Sequence, residues 1–450
     1  MTNKKNSNIL PIIMMFFLFA MISFVTGLSN PMGVIVKNQP GIQNWMSQLG
    51  NFANFIAYLF MGLPAGIILK KKGYKFTALM AIAIGIIGVG LQLVSSHMTY
   101  AQGDNFTPIF VVYLFGALVS GFSMCMLNTV VNPMLNILGG GGNKGNQLIQ
   151  FGGTLNSLSA TIVPILGGYL IGNAARATLK DATPALLIAI GIFIAAFIVL
   201  SFVRIPEPHL VKGDKNKSKT KDPHSALSFR HFILGIIAIF FYVGIEVGIP
   251  NFINLFLTNA TDAPLTPGMG LGAATAGIVC GTYWLLMLVG RLLGGILGGR
   301  FSARTQLSFV ASLAIILIIS GIFISPEVKA QMIVFSTANG FGLQTVPLSV
   351  MLFALCGLCT SIMWGGIFNI AVEGLGKYTE MASGIFMVMV CGGGVLPVIQ
   401  GRIADITNSY LSSYWVIVAA LFYLLYYGLI GHKNVNTNID TSILTEEKID

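Results

Sequence analysis

Glu246 has the strongest claim to chemistry in this chain of 450 residues. It stands in FYVGIEVGIP (241–250), a run with no other charge. A carboxyl group kept in such a run is expensive, which marks the position as functional by default. Two roles are open to it: taking up and releasing a proton in a cycle, or a fixed hydrogen bond that ties its helix to a neighbour. Amides form the second group. Asn30, Asn128, Asn132, Asn156 and Asn369 all lie in oily surroundings. Each side-chain amide offers a donor and an acceptor, which suits a solute rich in hydroxyls, and each is costly if buried without a partner. The plain alternative is polar glue between helices; Asn132 precedes Pro133 and could serve only a kink. Trp364, in IMWGGIF, supplies a plate for stacking and one ring N–H donor. Arg291 and Glu373 lie toward the ends of apolar runs, where an inter-helix ion pair, a gate-side pair or a solvated end are the natural roles.

Other chemistries find little support. Of five histidines, His97, His209 and His224 fall in expected loops, and His231 and His432 at the ends of apolar runs, so no nucleophile and base constellation emerges and no enzyme activity is expected. Cys356 and Cys359 form a CxxC, but no second pair or histidine lies at metal spacing. All five cysteines (Cys125, Cys280, Cys356, Cys359, Cys391) sit in apolar runs and read as packing residues; no metal is expected. The glycine run in LGGGGNKGNQ (138–147) lacks the order GxxxxGK[ST] that a phosphate loop needs, and reads as a turn between two apolar segments.

The elements that must position these residues are membrane helices. Hydrophobic residues make up 55% of the chain and charged ones 9%, against roughly a quarter charged in soluble domains. Apolar runs of about 20 residues, enough to cross about 30 Å of hydrocarbon, recur along the whole length. They give twelve expected spans: 9–36, 45–69, 76–95, 108–134, 147–172, 183–203, 231–257, 272–297, 306–325, 347–371, 381–402 and 411–430. The first is too long for a signal peptide and is read as retained. With the amino terminus in the cytoplasm, nineteen of the 25 Lys and Arg fall on the cytoplasmic side, five on the other and Arg291 within a span. That asymmetry places both termini in the cytoplasm, and it accounts for the net charge of +10 without nucleic acid.

The stretch RIPEPHLVKGDKNKSKTKDPHSALSFR (204–230) is lysine-rich and broken by prolines. It reads as a cytoplasmic linker between a half at 1–203 and a half at 231–450. The halves echo each other: Gly62, Gly66, Leu69 and Lys72 match Gly290, Gly294, Leu297 and Arg300 at an offset of 228, and Pro164 and Gly168 share the spacing of Pro397 and Gly401. Gly62 and Gly66 are candidates for close helix packing or gating. The fold class expected is an all-α membrane protein, twelve transmembrane helices in two six-helix halves, with a site at the interface between parallel repeats that rock.

Six stretches carry a resemblance to a known group: GLSN (27–30) with Pro31, NTVVNP (128–133), LNSLSA (155–160), FYVGIEV (241–247), GRLLGGILGGRF (290–301) and IMWGGIFNIAVEGLGKYTEMASGIFMVMVCGGGVLPVIQGRIAD (362–405). The chain resembles the major facilitator superfamily, and within it the fucose permease and glucose/galactose transporter family of sugar symporters. The resemblance implies a monomeric carrier of the inner membrane that moves a neutral monosaccharide by alternating access. No cofactor is implied beyond a co-transported proton or sodium. It also implies that Asn30, Asn128, Asn132, Asn156, Trp364 and Asn369 belong to spans lining the central cavity. The family pattern has an aspartate where Asn30 stands, and the fucose permeases have a glutamate where Asn128 stands. An amide carries no proton in this range, so the coupling role passes to Glu246. The alternatives are an uncoupled facilitator, a carrier of acidic sugars such as sialic acid, for which Arg291 would matter, and a non-transporting sugar sensor.

Overall fold

A computed structural model describes residues 9–39, 41–98, 106–139, 142–171, 177–207, 224–263, 266–297, 301–336, 340–375, 378–436 and 438–439. Most of the expected linker, and part of the glycine run, lie outside them. The chain forms α1 (Ile9–Lys37), α2 (Leu49–Lys72), α3 (Tyr74–His97), α4 (Thr107–Leu138), α5 (Gly142–Ile171) and α6 (Thr183–Phe202). The second set is α7 (Arg230–Thr258), α8 (Ala273–Leu297), α9 (Ala303–Phe323), α10 (Leu348–Val372), α11 (Thr379–Val388, then Gly392–Thr407) and α12 (Tyr410–Gly431). Among the described residues, eleven helices are long and apolar enough to cross a membrane. The other is α5, whose first turns, GNKGNQ, are polar. The face on which α1 starts and α12 ends is here the terminal face, and the opposite one the far face.

Proline explains where these helices loosen. Having no N–H, it leaves the carbonyl four residues earlier without its helical donor. Pro31 does this to Gly27, and α1 breaks there into Ile9–Gly27 and Ser29–Lys37. Pro250 does it to Glu246, so the carboxyl-bearing turn of α7 also holds a carbonyl with no helical partner. Pro397 does it to Gly393, whose oxygen accepts instead from Asn51 Nδ2 of α2 at 2.7 Å. The break in α10 has another cause. The hydroxyls of Thr360 and Ser361 turn back onto the carbonyls of Cys356, Gly357 and Leu358, a competition that bends helices.

The repeat is visible in packing. Within the first half Gly121 of α4 lies against the Asn54 carbonyl of α2, and within the second Gly357 of α10 lies against the Tyr283 carbonyl of α8. Between the halves, Gly168 of α5 meets Ala273 of α8, and Gly401 of α11 meets Trp45 just before α2. Ala273 and Trp45 are again 228 residues apart. The glycines singled out at that offset do not share one job: Gly62 faces Val388 of α11 across the halves, Gly290 faces Ser361 within its own half, and Gly66 faces open space.

One element was not foreseen. Between α9 and α10 the chain forms an antiparallel hairpin, β1 (Lys329–Ser336) and β2 (Gly340–Pro347). Alternation over KAQMIVFS is short and flanked by membrane spans, so it does not stand out against a loop.

Candidate functional site

At the seam between the halves, α5, α7 and α8 bring together a charged cluster. Glu246 and Arg291 form an ion pair, Oε1 to Nη2 3.5 Å, with side chains only 14% and 16% exposed. The guanidinium reaches further: Nη1 donates to the Gly153 carbonyl at 2.7 Å and to Ser157 Oγ at 2.6 Å. Arg291 thus links a carboxylate of the second half to two oxygens of the first. Its planar fork suits this, since donors leave it in fixed and different directions. Tyr242 lies one turn before Glu246; its hydroxyl is buried beside the pair and makes no hydrogen bond of standard length among the described residues. Trp364 of α10 packs edge-on against Tyr242 and Phe386, ring centroids 6.1 and 5.7 Å away. Trp284 precedes Arg291 by two turns and so shares its face of α8.

Three of the amides, Asn128, Asn132 and Asn156, are tied to neighbours through their NH2 groups. Asn128 donates to the buried Tyr58 hydroxyl of α2 at 2.9 Å and to the Met124 carbonyl at 3.2 Å. Asn132 donates to the Asn128 carbonyl at 3.0 Å, and Asn156 to the Phe19 carbonyl of α1 at 3.1 Å. Among the described residues no donor reaches the side-chain oxygens of these three, which remain as acceptors. Asn369 is exposed on α10 with no partner among the described residues. The Asn30 side chain lies outside the described part. Glu373 pairs with Arg304 at the terminal end of the second half, both well exposed. Such a pair adds little to stability.

The far face is closed by a contact that sequence reasoning passed over. Asn44 is fully buried and spends its polar atoms on the other half. Its backbone N–H and Nδ2 donate to Asp405 Oδ1 at 3.0 and 2.8 Å, Nδ2 also to Thr266 Oγ1 at 3.0 Å, and its Oδ1 accepts from Tyr410 at 2.8 Å. Trp45 N–H donates to Asp405 Oδ2 at 3.1 Å. Both backbone donors belong to the first turn of the helix Asn44–Ser47, where N–H groups lack intrahelical partners. Asp405 therefore caps a helix of the first half with a carboxylate of the second. Asn251 of α7 adds a bond to Gln48 at 3.0 Å.

This closure needs Gly168 and Gly401. A Cβ on Gly168 would fall 2.9 Å from the Ala273 carbonyl carbon, and one on Gly401 2.7 Å from Trp45 Cα. Gly168→Leu or Gly401→Leu is expected to hold the far face apart, seen as a longer distance between spin labels on Lys180→Cys and Asp262→Cys. Gly66→Leu, which meets nothing within 4 Å, should leave that distance unchanged. The five native cysteines are buried, so labelling is selective.

Sequence reasoning found Glu246 and Arg291 but did not join them, and it missed Ser157, Tyr242, Tyr58 and Trp284. Tyr242 was available as the aromatic one turn from Glu246, and Trp284 as the one two turns from Arg291. Asn44 and Asp405 lie at span ends, where polar residues read as solvated.

Comparison with known proteins agrees with this architecture. The model of the Major Facilitator Superfamily matches residues 12–397. The glucose/galactose transporter of Brucella abortus is 31% identical over 420 residues, 93% of each chain. The L-fucose-proton symporter of Escherichia coli is 22% identical over 428 residues, 89% of this chain and 88% of the other. Among solved structures, the transporter FucP in the outward conformation superposes with a TM-score of 0.64 at 17% identity, over 95% of this chain and 100% of that one. The twelve helices, their repeat and these matches show that the chain is a multi-pass membrane transporter of the major facilitator superfamily, not an enzyme.

Proposed function

We propose that this transporter carries a neutral monosaccharide of the glucose, galactose or fucose type by alternating access, driven by a cation that exchanges at Glu246. The relatives named for glucose/galactose and L-fucose transport support the sugar class. The observation that carries the reading is the link Glu246–Arg291–Ser157/Gly153, which makes the charge on one carboxyl part of what joins the halves. Sugar hydroxyls donate to the free oxygens of Asn128, Asn132 and Asn156, and the ring stacks on Trp364. The basic residues of the terminal face make it the cytoplasmic one. The deeply placed guanidinium already has its counter-charge in Glu246, which favours neutral sugars over acidic ones.

A second reading, an uncoupled facilitator, is favoured by the amides at positions 30 and 128. Counterflow in proteoliposomes tests the sugar class: labelled glucose, galactose or fucose should exchange, and sialic acid should neither exchange nor compete. Exchange of sialic acid alone would reverse the assignment. Trp364→Ala should raise the KM for counterflow about two- to tenfold, since a lost aromatic plate is worth about 0.5–1.5 kcal/mol, while labelled protein keeps its far-face distance.

A further inference from the structure

The hairpin between α9 and α10 has two faces of opposite fate. Met332, Val334 and Val346 are buried on the side that packs against α8 and α10. On the other side the register pairs Gln331 with Thr345, Ile333 with Leu343 and Phe335 with Phe341. Ile333, Leu343 and Phe341 are 65%, 68% and 69% exposed, and the Phe335 and Phe341 rings meet edge-on at 5.3 Å. The base of this outer face is polar, closed by a Gln331 to Thr345 hydrogen bond of 2.9 Å, and it becomes apolar toward the turn. Neighbouring bulky apolar groups left this open are unfavourable in water and mark a surface that is covered.

Two anchor points indicate what covers it. The hairpin leaves α9 just after Phe323, which is 75% exposed and packs edge-on against the half-exposed Trp415 at the start of α12. At its other end Ser336 Oγ is 3.2 Å from the hydroxyl of Tyr169, which is 45% exposed near the far end of α5. Exposed Trp and Tyr at span ends mark the headgroup level of a bilayer, so the hairpin runs between two points at that level. A two-stranded sheet also has an open edge on each side, whose N–H and C=O groups need water. That excludes the hydrocarbon centre and leaves the boundary between headgroups and acyl chains.

We propose that the outer face of this hairpin is a lipid-binding surface, seating Ile333, Phe341 and Leu343 in the headgroup–acyl boundary of the far-face leaflet. The hairpin belongs to the second half and touches α5 of the first through Ser336 and Tyr169, so lipid held there bears on the α5–α8 seam. The inference rests on membrane embedding alone and stands whether or not the substrate is a sugar.

Nitroxide labels on Phe341→Cys, Leu343→Cys and, as a polar reference, Lys329→Cys test it in nanodiscs of phosphatidylcholine with phosphatidylglycerol. At 341 and 343, collision with oxygen should exceed collision with a water-soluble nickel chelate several-fold more than at 329, giving a depth at the headgroup boundary. Labels at 341 and 343 as open to nickel as that at 329 would place the face in water and overturn the proposal. Labels shielded from both reagents would show a protein partner instead, such as a second copy of the chain, and would overturn it equally.

Discussion

Glu246→Gln is expected to abolish gradient-driven accumulation of sugar while leaving counterflow exchange in place. Glutamine has nearly the shape of a protonated glutamic acid and cannot lose the proton, so a carrier that cycles this group stops coupling but still binds and turns over sugar. Arg291 gives the chemistry its mechanical consequence. With Glu246 ionised, the guanidinium is held between that carboxylate and the Gly153 and Ser157 oxygens, tying α7 and α8 to α5. In the proposed cycle, a cation taken up by the carboxyl removes the counter-charge of the guanidinium in a site of low polarity and so weakens the arrangement joining the halves. Removing one partner of a buried pair costs about 3–5 kcal/mol, so Arg291→Ala should lose exchange as well as accumulation and lower the Tm of the purified protein. Arg291→Lys keeps the charge without the fork and should fall between. If Glu246→Gln accumulates sugar as wild type does, the carboxyl is a fixed inter-helix contact and the coupling group lies elsewhere.

Asp405→Ala is expected to shift the protein toward a state open on the far face. The carboxylate accepts three N–H donors from Asn44 and Trp45, all across the boundary between halves, and its loss strands the first-turn donors of the helix Asn44–Ser47. Hydrogen bonds to a charged group contribute about 1.5–3 kcal/mol each. Allowing for water replacing some of them in the open state, a net shift of about 2–3 kcal/mol, roughly 30- to 150-fold in the open-to-closed ratio, follows. The Lys180 and Asp262 labels should report it as a longer distance in the sugar-free protein, and the turnover of exchange should fall because each cycle requires closure. Asn44→Ala removes one backbone-independent donor and the acceptor for Tyr410, and should act in the same direction. An unchanged distance in both variants would mean that the glycine contacts alone hold the far face shut.

The physics of apolar length made the helices legible. A run of about 20 oily residues has few alternatives, and the repeat of Gly62 with Gly290 is the sequence signal for a division into halves. The repeat was less informative about contacts, since Gly62 and Gly290 turned out to face a partner half and a helix of the same half. Single buried charges were legible for the same reason as the helices: Glu246 and Arg291 are costly where they stand. Their union was not, because residues 45 positions apart meet only through the crossing of α7 and α8. The amides illustrate a different limit. Composition alone cannot decide between gluing helices and binding solute, and among the described residues the structure divides the groups of Asn128, Asn132 and Asn156, with the NH2 bound to protein and the oxygen left without a donor. Asn44, Asp405 and the hairpin escaped notice because, in one dimension, polar residues near a span end are indistinguishable from an ordinary solvated loop.

The most direct test of the central claim is uptake of labelled galactose into proteoliposomes when an inward proton gradient, and separately an inward sodium gradient, is the sole driving force. The account predicts accumulation above the equilibrium level under one of them, and its loss when that gradient is collapsed. Rapid equilibration with no accumulation under either gradient would contradict coupling at Glu246, and no movement of galactose, glucose or fucose at all would contradict the assignment as a sugar carrier.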